Sequence, residues 1–249
     1  MRTCKNIISA GIHLGQGDLA NHNHLKEKIM KIYAINGGPR KKHNTAQLLQ
    51  AALEGAAAAP CGEAVETEMI HLYDLAYNGC VSCFSCKRKG GKSYGHCAVK
   101  DDLTPVLEKL AQADGVIFGS PIYFGNITGK LRSFFERLMF AYFVYDENYS
   151  SLAPKRMPTA FVYTMNVDTA QMEQYGYRQN LQGMEMFAGR LFGEPQVLHA
   201  CNTYQFDDYS KYECERFSES EKAALRAVQF PKDLEAARKI GAAMVAAGK

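Results

Sequence analysis

Four cysteines, Cys80, Cys83, Cys86 and Cys97, stand in the pattern Cys-x-x-Cys-x-x-Cys followed after ten residues by Cys. Thiols two residues apart can turn their sulfurs toward one point, and a fourth from a following loop completes a four-thiolate set suited to an iron-sulfur cluster or to zinc. His96, beside Cys97, offers a nitrogen in place of one thiolate at a zinc site. Buried structural cysteines would follow a helical or strand period, and this stretch has neither. The connecting run from Lys87 to His96 carries three glycines and four Lys or Arg residues, a composition for an exposed loop. Lys87, Arg88, Lys89 and Lys92 would offset the charge of four thiolates, or simply be solvated.

Two further segments have the composition of ligand loops. Asn36-Gly-Gly-Pro-Arg-Lys-Lys-His-Asn-Thr45 gathers backbone amides, a helix amino terminus and Arg40, Lys41 and Lys42 around one place, an arrangement that binds a phosphate. Gly38 and Pro39 shape the turn, and Asn44 and Thr45 add amide and hydroxyl hydrogen bonds. A tight exposed turn with solvated basic residues would have the same composition. Gly119-Ser-Pro-Ile-Tyr-Phe-Gly-Asn126 displays Tyr123 and Phe124 on a non-helical segment. Aromatics with open backbone amides suit a planar heterocycle such as an isoalloxazine, although both rings could instead bury against the next helix. Gly15-Gln-Gly-Asp-Leu-Ala20 fits a dinucleotide fingerprint only by chance, because polar Asn and His residues follow where a helix is required. Gly91-Lys92-Ser93 is not a triphosphate loop, since Cys86 stands where the leading glycine belongs.

The remaining chain must position these loops. Its 249 residues allow one domain with a substantial core, and a formal net charge of +3 gives no support for a nucleic-acid partner. No run reaches the roughly 18 apolar residues that span a bilayer, and nothing at the amino terminus has the form of a secretory signal. We therefore expect a cytoplasmic protein without a membrane partner, in which eight cysteines need not pair. Cys4, Cys61, Cys201 and Cys214 are scattered and act as small hydrophobes or free thiols.

From Met30 the pattern alternates strand and helix. Strands are expected at 31–36, 65–72, 115–120, 159–164 and 196–201. Helices are expected over 46–58 with Asn44 and Thr45 as caps, from Asp101-Asp102 through Leu110, through Phe134 to Met139, as one long stretch over roughly 171–192, and over 219–247 interrupted at Pro231. Five alternations call for an α/β doubly wound, five-stranded parallel sheet in the flavodoxin-like order 2-1-3-4-5, with a cysteine-rich loop (78–100) inserted after the second strand. Ligands of such sheets bind at the carboxyl edge, so the three loops should converge there. Residues 30–249 form this domain, and residues 1–29 are expected to be a flexible extension or an upstream misread start.

Taken together, Ile35-Asn-Gly-Gly-Pro-Arg40 with Asn44-Thr45, the four cysteines followed by Asp101-Asp102, and Gly119-Ser-Pro-Ile-Tyr-Phe-Gly125 with Gly129-Lys130 resemble the NAD(P)H-dependent FMN reductases and, within them, the iron-sulfur flavoproteins. The resemblance spans about Met30 to Cys214 or beyond. It implies FMN, with its phosphate on Gly38, Pro39, Arg40, Asn44 and Thr45 and its ring on Ser120, Pro121, Ile122, Tyr123, Phe124, Gly125 and Asn126. It also implies a [4Fe-4S] cluster on Cys80, Cys83, Cys86 and Cys97, NADH or NADPH as donor, a small-molecule or protein electron acceptor, and a homo-oligomer, dimer or tetramer. Two departures stand out. Gly38 occupies a position where the family usually has serine, leaving the backbone amide for the phosphate, and the gap between Cys86 and Cys97 is longer than in the cluster-bearing members. A reductase of quinones or free flavin whose cysteines hold zinc or cycle as a dithiol, and a non-catalytic flavin carrier, are the alternatives. No side chain stands out as a catalytic acid or base.

Overall fold

Short apolar runs bounded by glycine, proline and asparagine become strands, and the alanine- and leucine-rich stretches between them become helices. The computed structural model describes residues 29–248. Apart from Ile29, which begins the first strand, the extension expected at 1–29 lies outside the described residues. In chain order the elements are β1 (Ile29–Asn36), α1 (Asn44–Ala57), β2 (Ala64–His71), α2 (Thr104–Leu110), β3 (Gly115–Pro121), α3 (Gly129–Tyr142), β4 (Thr159–Thr164), α4 (Thr169–Gln174), α5 (Tyr177–Leu191), β5 (Gln196–Ala200) and α6 (Glu219–Ala247). The strands form one parallel sheet in the order β2-β1-β3-β4-β5, as expected.

Successive side chains of a strand point to opposite faces. Met30, Ile32 and Ala34 of β1 therefore pack with Leu48, Leu49 and Ala52 of α1 and Met244 of α6. Tyr33 and Ile35 pack on the other face with Leu131, Phe134 and Phe135 of α3. Phe118, Phe135 and Phe161 meet at ring separations of 4.9–5.8 Å and supply the aromatic bulk of a chain without tryptophan.

Three local expectations need correction. The helix expected over 171–192 is two helices, because Gly176 adopts φ +70° and ends α4 with a turn that L-residues resist. Asp168 and Gln171 form a reciprocal capping box at the start of α4, a sequence signature that marks this boundary. Pro231 does not interrupt α6, which runs unbroken from Glu219 to Ala247. The missing N–H costs one hydrogen bond, and buried contacts on both sides of it, Phe230 before and Ala237, Ile240 and Met244 after, hold the helix together. Finally, Asn44 and Thr45 are not caps: His43 is the N-cap and makes no side-chain capping bond, while both expected caps face inward to partners elsewhere.

Candidate functional site

The carboxyl ends of β1, β3, β4 and β5 open into one cleft. The turn after β1 is built by Asn36, fully buried, whose Oδ1 accepts the Gly38 N–H at 2.9 Å. That amide, expected to serve a phosphate, is thus spent within the turn. Gly38, Pro39 and Arg40 with Asn44 and Thr45 form one end of the cleft, and Pro121, Ile122 and Tyr123 line it further along. The two groups assigned to phosphate and ring therefore come together in space although far apart in sequence.

The end at the start of α1 is electropositive. Its first turn contains no acid, so the amino-terminal dipole is unopposed by side-chain charge there. Arg40 donates to the Gln205 carbonyl at 2.7 Å. Arg226, carried over from α6, donates to Asn44 Oδ1 at 2.7 Å, and Asn44 Nδ2 donates to the Tyr204 carbonyl at 2.8 Å. Thr45 and Thr164 share a hydroxyl hydrogen bond of 2.7 Å. Burial, then Arg40 and Arg226, push His43 below the ordinary histidine value, with Asp207 opposing. Lys41 instead pairs with Asp74 at 2.6 Å, both about half exposed, and Lys42 lies on the surface.

The loop after β3 has fewer open amides than its sequence suggests. The Ile122 N–H bonds the Thr164 carbonyl, Tyr123 and Asn126 exchange backbone bonds, and Asn126 Oδ1 accepts the Ile127 N–H. Ser120 is buried behind the cleft, accepting the Thr128 N–H at 3.1 Å and donating to the Pro121 carbonyl at 2.7 Å. Phe124 and Gly125, at φ +51° and +76°, form the tip of the resulting turn. Phe124 is fully exposed and Tyr123 is 45 % exposed, so neither ring is buried against the next helix. A bulky residue held in the left-handed region with its ring in water is a strained position of the kind that clusters at ligand sites.

Several lining residues had no sequence signal. Met165 and Asn166 follow β4, and Thr203 and Gln205 follow β5. Behind them Lys222 of α6 is buried and its Nζ donates to the Asn166 carbonyl at 2.8 Å, to Asn202 Oδ1 at 2.6 Å and to Asn166 Oδ1. Burial lowers this lysine to about 8, with Asp168 opposing. A lysine four residues after the Ser218 N-cap would have been a hint only with α6 already docked.

The four cysteines line a second, smaller pocket against α3, together with Glu136, Arg137 and Phe140. Cys86 is buried, Cys80 and Cys97 partly so, and Cys83 is exposed. Burial raises the Cys86 thiol, Lys87 opposes this, and Cys80, Cys97 and Cys83 raise it further, so the four sulfurs share one electrostatic environment. Backbone and hydroxyl hydrogen bonds from Ser85 lower Cys83. Lys87 is not a solvated loop residue: its Nζ donates to the Phe140 and Phe143 carbonyls at the end of α3 and lies 4.5 Å from the Phe140 ring centroid. Arg88, Lys89 and Lys92 are exposed, and His96 turns its Nδ1 to the Tyr94 carbonyl at 3.0 Å. Among the described residues no three His, Cys, Asp or Glu side chains stand at single-ion spacing.

Helix α3 joins the two sites. Its N-cap, Thr128, donates from Oγ1 to the Gly37 carbonyl in the turn after β1. Lys130 donates to the Leu75 carbonyl, and Tyr77 donates back to the Lys130 carbonyl, both in the first turn. Arg137 lies nine residues beyond Thr128, about 14 Å along the axis.

Among solved structures the fold is similar to an NAD(P)H:quinone oxidoreductase from Methanothermobacter marburgensis, with a TM-score of 0.62 and 17 % identity, covering 86 % of this chain and 98 % of that one. It is also similar to an azoreductase from Bacillus anthracis, with a TM-score of 0.58 and 16 % identity over 86 % and 99 % of the two chains. In sequence the chain is 39 % identical over 108 residues to an iron-sulfur flavoprotein of Methanocaldococcus jannaschii, covering 43 % of this chain and 51 % of that protein. It is 40 % identical over 108 residues to an iron-sulfur flavoprotein of Archaeoglobus fulgidus, covering 43 % and 48 %. These matches span about half the length of the relatives. Residues 30–191, more than half of the chain, match the family described as NADPH-dependent FMN reductase, to which this chain belongs.

Proposed function

We propose that the protein is an FMN-dependent oxidoreductase that takes electrons from NADH or NADPH and passes them to an acceptor through a [4Fe-4S] cluster on Cys80, Cys83, Cys86 and Cys97. The observation that carries this reading is the convergence of all four thiols on one pocket against α3, whose amino terminus is anchored to the turn of the cleft. The donor set fits: four sulfurs in one electrostatic environment, with Lys87 and Arg137 as adjacent cations. When bound, FMN would accept a hydride and the cluster would carry single electrons, so the pair links a two-electron donor to one-electron carriers.

The protein supplies positioning. Arg40, Arg226 and the start of α1 provide the charge that a phosphate monoester needs. Pro121 to Tyr123 provide an apolar wall for a ring, and Lys222 fixes the loops after β4 and β5 that close the opposite side. An electron acceptor, small molecule or protein, is the partner this reading requires. Among the described residues no helix is long and apolar enough to cross a membrane.

The test is an ultraviolet-visible spectrum of protein purified without oxygen, with iron, zinc and acid-labile sulfide analysis. Flavin bands with a broad shoulder near ~400 nm that dithionite bleaches, and matching iron and sulfide, support the proposal. Flavin with zinc, or with no metal, overturns the cluster and leaves a simple flavin reductase or carrier.

The phosphate assignment makes its own prediction. Arg40→Ala should weaken FMN binding by about 1.5–3 kcal/mol, roughly 10- to 100-fold, the range for a hydrogen bond to a charged group. Titration of the apoprotein with FMN, followed by flavin fluorescence, measures it. Unchanged affinity would place the phosphate elsewhere.

A further inference from the structure

An arginine taken out of water must give each N–H a partner, because every unspent donor in the interior carries its full desolvation penalty. The Arg137 side chain is 1 % exposed, and all five of its N–H groups are spent. Asp101 takes two, one to each carboxylate oxygen, at 2.8 and 3.2 Å. The carbonyls of Asn78 and Val99, ahead of Cys80 and behind Cys97, take one each at 3.1 Å. These four bonds fasten the two ends of the cysteine segment to α3, and the guanidinium holds Asp101 below the usual carboxylate range.

The fifth donor does something different. Arg137 Nε–H points to Cys97 Sγ at 2.7 Å. A thiol sulfur is a weak acceptor and a metal-bound sulfur a much better one, so a guanidinium aimed at this sulfur suits a cysteine that serves as a ligand. Cys97 is also the cysteine outside the compact Cys-x-x-Cys-x-x-Cys run, at the end of a loop whose Arg88, Lys89 and Lys92 are exposed. It therefore has the greatest need of an external anchor. The preceding residue of α3 holds the other end: Glu136 Oε2 accepts the Cys80 N–H at 3.2 Å.

We propose that Arg137 is the positioning residue of the four-thiolate site. Its Nε–H···Sγ bond sets Cys97 in place and draws electron density from that sulfur, which raises the reduction potential of the metal group held there, because a donor to sulfur stabilises the more negative reduced form. This rests on the metal-binding reading of the cysteines given above.

The test uses the full-length protein with its [4Fe-4S] cluster reconstituted and its arginines labelled with nitrogen-15. In the wild type, pulsed electron paramagnetic resonance of the dithionite-reduced cluster should show a coupling to one arginine nitrogen, and Arg137→Lys should abolish it. The lysine variant should also show a lower midpoint potential than the wild type, and its apoprotein should expose Cys97 to iodoacetamide faster. A wild-type cluster of matching iron and sulfide content without the coupling would overturn this proposal alone. Absence of iron and acid-labile sulfide in the reconstituted wild type would instead remove the cluster reading of the cysteines, and this proposal with it. Should the lysine variant fail to fold, the wild-type coupling still decides.

Discussion

Cys83→Ser should abolish iron and acid-labile sulfide while leaving FMN content unchanged and stability within about 0.5 kcal/mol of the wild type. The thiol at position 83 is exposed, so replacing sulfur by oxygen there opens no cavity, and surface substitutions away from special features stay within roughly that range. A hydroxyl, however, is neither a thiolate nor a soft ligand, and a four-thiolate site loses its closure with one member gone. The cleft that we assign to FMN is lined by none of the four cysteines, so flavin retention is expected to be independent. Metal and sulfide analysis with a thermal melt of the same preparation measures both halves. Simultaneous loss of FMN and of cooperative melting would show instead that the cysteine site is a structural staple.

Gly241→Ala should be the most damaging single methyl in the described chain. A Cβ at Gly241 would lie 1.7 Å from the Ala52 carbonyl oxygen, and one at Gly55 would lie 2.0 Å from the Arg238 carbonyl oxygen, so α1 and α6 touch backbone to backbone. No side-chain rotation relieves a clash with main chain, and the helices must separate. Overpacking costs typically 1–3 kcal/mol, and this contact belongs at or beyond the upper end, so about 3 kcal/mol or more is expected, roughly 6–12 °C in Tm for a chain of this size. Flavin retention should fall with it, because Arg226 of α6 meets Asn44 of α1 at the electropositive end of the cleft. Gly183→Ala is the control: that position in α5 faces open space, and alanine there should stabilise by about 0.5–1 kcal/mol. A Gly241→Ala variant within 1 kcal/mol of the wild type by denaturant melting would mean that the two helices can part without loss.

Where the sequence was explicit, it was so through short-range pattern. The β4 strand was expected at 159–164 and runs Thr159–Thr164, because an apolar run bounded by Pro158 and a polar turn has one register. Helix ends were less legible. Asn44 and Thr45 have the residue types of caps, yet their side chains are claimed by Tyr204, Arg226 and Thr164, partners that only the folded sheet brings near. Pro231 has the type of a breaker, yet α6 carries it.

The same division runs through the site. By itself the sequence determined the α/β alternation, the strand order that follows from it, the cysteine spacing and the two loops that meet at the carboxyl edge, because each depends on residues a few positions apart. Only the tertiary structure decided which charges serve those loops. Arg226 reaches Asn44 across 182 positions, Lys222 reaches Asn166 across 56, and Arg137 reaches Cys97 across 40. On a helix pattern all three are ordinary surface cations. Docking each helix against the sheet buries Lys222 and Arg137 and half-buries Arg226, and a cation taken out of water must then find its partners wherever the fold has put them.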